Sequence, residues 1–187
     1  MLSLRERVAL ARAPKRKDGP GRPFGSVGDV VGKVWNLPNT ALGLGYGLAG
    51  YAVGQLNRLK PGDQPNDPRI QVRNNAVEFV NNPLGGVGAI TLGNTITYSG
   101  DPYDPNDVDW NWYREKTGQD IRDHERAHTV QGQQLGPLYL PSNIVGGLLG
   151  LLRDRDEAGN RDWGGPSNWN ERGPNLNPPR PWPPGKP

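Results

Sequence analysis

A chain of 187 residues with a net charge of +3 suits one domain with unstructured ends rather than a multidomain assembly. Its 27 glycines, 20 prolines and only 33 % hydrophobic residues exclude a large core and make much of the chain loop. With no cysteine, disulfide frameworks and thiolate metal ligands are excluded, so any ion must be held by histidine or carboxylate.

Arg5, Arg7, Arg12, Lys15, Arg16, Lys17 and Arg22 crowd the start, against Glu6 and Asp18. Residues 1–27 are therefore read as a flexible basic arm, in which Leu2, Leu4, Val8 and Leu10 give a short helix at most before Pro14. A tail of this kind is usually solvated, and no specific nucleic-acid partner is expected. No apolar run and small-residue cleavage site follow the basic start, so no Sec signal peptide is visible.

Residues 28–175 are expected to form the folded domain. Within it, residues 40–56 carry no charge and repeat glycine at Gly43, Gly47, Gly50 and Gly54. This spacing predicts a helix packed tightly within the domain, starting near Pro38. At 17 residues the run is also at the lower limit for membrane contact or spanning, which stays as the second reading. Residues 60–69 are loop by composition. Residues 70–80 and 89–98 read as extended segments. In the second, Ile90, Leu92, Ile96 and Tyr98 alternate with polar residues, and Gly93-Asn94 marks a bulge or turn. Residues 99–111 hold four aspartates but lack the glycine and terminal glutamate of an EF-hand, so a surface loop is expected rather than a calcium site.

The clearest helix is predicted over residues 118–135, with Ile121, His124, Ala127, His128, Gln131 and Leu135 on one stripe. His124 and His128 are the only two histidines of the chain, and Glu125 follows the first. Chance would produce this arrangement roughly three times in ten thousand. Four positions are just over one helical turn, so both imidazoles share a face and can bind one zinc ion. Glu125 would then take a proton from the activated water. Gly136-Pro137 ends the helix. A second Gly-rich apolar stretch at 141–152 is read as another buried helix, 154–168 as a polar loop, and 176–187 as a Pro-rich tail.

Two histidines do not complete a catalytic zinc site, which commonly takes three protein ligands. Asp154, Asp156, Glu157, Asp162 and Glu171 are the downstream candidates. Glu171 is favoured, because it stands 43 residues beyond His128, room for a return crossing, with Trp163 and Trp169 to shield its approach. Tyr139, Tyr98 and Arg172 are the candidates for stabilising an oxyanion, with Tyr139 preferred. Asp123 and Gln131 could orient an imidazole.

The stretch Gly88-Ala89-Ile90-Thr91-Leu92-Gly93-Asn94-Thr95-Ile96, followed by His124-Glu125 and His128-Thr129-Val130-Gln131, resembles the minimal zincin-like metallopeptidase domains of bacterial polymorphic toxins. Gly136-Pro137-Leu138-Tyr139-Leu140-Pro141, then Trp169 and the Glu171-Arg172 pair, resemble the Rhs-type members. The resemblance covers residues 84–175. It implies an α+β fold with a small antiparallel sheet, the HExxH helix beneath it and Gly-rich packing helices. It further implies a zinc-dependent endopeptidase acting on a protein or peptide. By association, the resemblance implies a bacterial effector, secreted by a non-Sec route or delivered into a target cell, with an immunity protein or a secretion-system carrier as partner.

Overall fold

A computed structural model describes residues 27–60, 66–86, 88–117, 119–156 and 158–171. The basic arm up to residue 26, the Pro-rich tail, Glu157 and Arg172 lie outside the described residues. The elements run α1 (Val27–Trp35), α2 (Leu37–Asn57), β1 (Arg69–Arg73), β2 (Ala76–Val80), β3 (Ala89–Leu92), β4 (Thr95–Tyr98), α3 (Val108–Thr117), α4 (Ile121–Leu135) and α5 (Tyr139–Arg153). A single 3-10 turn, Gly136–Leu138, joins α4 to α5.

Each extended segment of the sequence is a hairpin. Asn74 and Asn75 both take positive φ (51° and 67°), the backbone that a two-residue turn between twisted strands requires. Gly93 turns the second hairpin with φ 64°. That turn places Ile90 and Leu92 on the opposite face from Ile96 and Tyr98, since the paired residues are Ile90 with Thr97 and Leu92 with Thr95. Of the bulge or turn expected at Gly93-Asn94, the turn is present, so the alternation does not continue across it as one strand.

The fold is α+β as expected, but the sheet is mixed rather than antiparallel. Its order is β1-β2-β4-β3, and β2 pairs with β4 in parallel. The reason lies in the 81–88 connection, which passes over one strand position, about 5 Å per strand, before β3 begins. β4 then returns into the gap beside β2. Asn82 pins this crossing by donating its side-chain amide to Gly47 O (2.9 Å), while its backbone N–H bonds Tyr98 O (2.9 Å).

α2 lies on one face of the sheet through its glycines. A Cβ at Gly47 would overlap the Phe79 ring, and one at Gly50 would overlap Asn82 Oδ1. Pro38 sits in the first turn of α2, where its missing N–H costs no hydrogen bond. The other face carries the small apolar core: Ala76, Val80, Ile96, Tyr98, Trp110 and Ile121, with Tyr98 edge-on to Trp110 at 6.0 Å. Buried asparagines substitute for missing apolar bulk between helices. Asn36 donates to Asn94 Oδ1 (3.1 Å), and Asn39 donates to Asn36 Oδ1 (2.9 Å) and Gly136 O (2.6 Å).

Two further expectations change. Residues 99–111 are not all loop: after turns held by the side chains of Asp101 and Asp104, α3 starts at Val108, with Asp107 Oδ1 accepting from Trp110 N (3.4 Å). The second Gly-rich helix, α5, is not buried. Gly146, Gly147 and Gly150 face inward against Asn168, Trp163 and Asp162, whereas Ile144, Val145, Leu148 and Leu152 are exposed.

Candidate metal and active site

Helix α4 begins where Asp120, in extended conformation, accepts the Arg122 N–H at 2.9 Å. The Asp120 carboxylate also pairs with the Arg122 guanidinium (Nε to Oδ1 2.8 Å) and lies 3.5 Å from Arg114. Burial raises its pKa, but the Arg122 hydrogen bond and charge outweigh this and hold it below the ordinary 3.8. The helix is thus fixed at its first turn, one turn before the histidines.

From α4 the two imidazoles project together, with Nε2 atoms 3.2 Å apart and rings at 81°. Glu171 arrives from the segment after α5 and sets Oε2 3.5 Å from both Nε2 atoms. One donor atom from each of the three residues lies within 4.8 Å of the others, so His124, His128 and Glu171 form a group that could hold a metal ion. The spacing fits the chemistry. Tetrahedral coordination with bonds of about 2.0–2.1 Å separates donor atoms by about 3.3–3.4 Å.

The surroundings orient each donor. His128 Nδ1–H donates to Gln131 Oε1 (2.8 Å), which leaves Nε2 to face the group. The same amide donates through Nε2 to Asn170 O (2.5 Å), the carbonyl preceding Glu171. Tyr113 of α3 packs edge-on against His124 at 6.2 Å. Burial lowers the His128 pKa, yet the Glu171 carboxylate outweighs it and raises the value to about 9. Reciprocally, burial raises the Glu171 pKa, and His128 and then His124 bring it below its ordinary value.

Glu125 is buried beside this group, with Oε1 3.9 Å from His124 Nε2. Its other oxygen accepts a 2.6 Å hydrogen bond from Thr91 Oγ1 on β3. Tyr139, at the start of α5, is also buried, its ring 6.4 Å from that of His128. Burial, then the charges of Glu171 and Glu125, push its phenol well above the ordinary range, so it stays a neutral donor. Tyr98 is likewise buried, and its hydroxyl has no hydrogen-bond partner among the described residues.

Of the other carboxylates weighed as ligands, Asp154 instead accepts from Ser167 N (2.6 Å) and Oγ (2.8 Å), and Asp156 from Ala158 N and Asn160 N. Thr91 and Tyr113 were not singled out from the sequence. The latter has a local signal, Asp107 capping a helix that carries Trp110 and Tyr113 one turn apart. No protein-family model, curated protein or solved structure matches the chain.

Proposed function

We propose that this chain is a zinc-dependent metallopeptidase on a zincin-like fold, a bacterial effector that leaves its cell by a non-Sec route and cleaves a protein or peptide. One observation carries the reading: the donors of His124, His128 and Glu171 are spaced as a tetrahedral ion requires, with the Glu125 carboxylate beside them. Zinc, when bound, would acidify a water and polarise the carbonyl to be attacked. Glu125, with one oxygen held by Thr91 and the other facing His124, accepts the proton of the attacking water and returns it to the leaving amine. Tyr139 keeps its proton and is the donor assigned to the oxygen that gains charge. β3 is an edge of the sheet and bears Thr91, so an extended peptide added along it would pass Glu125. An immunity protein or a secretion-system carrier is the further partner such an effector would have.

Protein purified without added metal is expected to carry about one equivalent of zinc by elemental analysis. Glu125→Gln should keep that zinc while activity, read as cleavage or toxicity, falls about 10²–10⁴-fold. Less than about a tenth of an equivalent of any transition metal, with the wild type folded, would overturn the reading.

A further inference from the structure

The helices α1, α2 and α5 are turned opposite to the usual sense of a helix at a protein surface. The buried residues of α2 are Asn39 and four glycines, those of α5 are Tyr139 and three glycines, and on all three helices valines, leucines or isoleucine face out. On α2, Leu42, Leu48 and Leu56 are 60 %, 51 % and 61 % exposed, whereas Gly43, Gly47, Gly50 and Gly54 are buried. No exposed position of α1 or α2 has a polar side chain, and Arg153 at the very end is the one exception on α5. The orientation cannot be reversed by rolling the helix, because any side chain at Gly43, Gly47 or Gly50 would strike the sheet or Asn82. The three helices converge at the 136–138 turn, where Trp35, Leu37 and Leu138 are each more than half exposed.

We propose that this surface seats the protein peripherally on an anionic lipid bilayer. Protein interfaces place a polar rim around an apolar centre, and the 21 residues of α2 hold no charged residue to supply one. Charge instead sits in sequence at the ends: Arg58, paired with Asp67, and Lys60 follow α2; Arg153 ends α5; and seven cations against two acids in residues 5–22 precede α1. An apolar face adjoining a cationic segment is the chemistry that binds acidic headgroups while side chains enter the acyl boundary. Trp35 and Trp163, 52 % and 40 % exposed, suit the headgroup level. Membrane contact extends beyond residues 40–56 in this arrangement. An 18-residue apolar window within Ile121–Arg153 is long enough to cross a bilayer by composition, but one side of α5 is committed to the protein, where Gly146, Gly147 and Gly150 pack on Asn168, Trp163 and Asp162. Docking by faces, not spanning, follows.

The test is co-sedimentation of the full-length protein with vesicles of phosphatidylcholine alone and of phosphatidylcholine with a third phosphatidylglycerol. The wild type should bind the anionic vesicles more tightly. Leu48→Glu with Val53→Glu, both at exposed sites, should lower that binding by more than about tenfold. Helical content and metal content of the variant serve as controls for folding. Replacing Lys15, Arg16 and Lys17 with glutamine should weaken binding by about fivefold per cation, and salt should mimic it. Failure of the wild type to bind either vesicle would overturn the proposal, as would equal binding by the double variant. A lipid-free dimer that the double variant dissociates, without vesicle binding, would assign the face to a second copy instead. None of these readouts depends on peptidase activity, so the two proposals fail separately.

Discussion

Gln131 couples the two halves of the candidate metal site: its carbonyl oxygen fixes the His128 ring and its NH2 holds the Asn170 carbonyl beside Glu171. Gln131→Ala is therefore expected to weaken zinc binding about 10–100-fold, measured by competition with a chromophoric chelator. Thr91→Val removes the hydroxyl that donates to the Glu125 carboxylate (2.6 Å) and lies 3.5 Å from the Glu125 backbone carbonyl oxygen, so metal content should be unchanged while kcat falls about tenfold. The two histidines and Gln131 are legible in the sequence because spacings of three and four on a helix dictate who shares a face, and Glu125 because it follows the first histidine. Thr91 was not. Its partner is 34 positions away, and nothing local says that β3 is the strand laid against α4.

At the scale of elements, Asp120 combines a cap with an ion pair. Asp120→Asn keeps a capping oxygen and removes the charge, so it should cost about 1 kcal/mol at pH 7. The sign of its pH dependence follows from the lowered pKa. The contribution is whole above the ordinary 3.8 and drains as pH falls through the lower folded value, so wild type and variant should converge in acid-side denaturant titrations. The α2 glycines allow a paired test by thermal melting. Gly45 has nothing within 4 Å of its Cβ position, and Gly45→Ala should stabilise by about 0.5–1 kcal/mol. Gly43→Ala puts a methyl 2.5 Å from the Leu92 carbonyl oxygen, and should destabilise by about 1–3 kcal/mol. The glycine period announced a helix and a close approach, but not that the leucines between would face outward. The start of helix α3 is masked in the sequence because the aspartates and prolines of residues 101–107 before it resemble a turn-rich loop until Asp107 is read as a cap.

For the whole molecule, the α+β class was legible from periodicity, and the strand pairing was not. Whether β4 lies outside β3 or between β3 and β2 depends on where eight residues of loop cross, a matter of packing against Gly47 rather than of local preference. The core behind this sheet is a cluster of six buried side chains, so a metal that joins α4 to the segment carrying Glu171 should contribute a large share of stability. Chelation of the metal-loaded protein is expected to lower Tm by about 10 °C, as for a ligand present at a thousandfold over Kd. A His124→Ala variant should show no such shift in the same melting experiment.

Glu171 comes 43 residues after His128, and its place beside the rings depends on the Asn170 contact to Gln131. On the ribosome, therefore, a chain with α4 already emerged offers the two nitrogens of the set but not the Glu171 oxygen. At about 5–20 residues per second, seconds pass before the third donor is made. Ion capture is thus tied to completion of translation through this position, and an interrupted product ending before it would be born without its full coordination set.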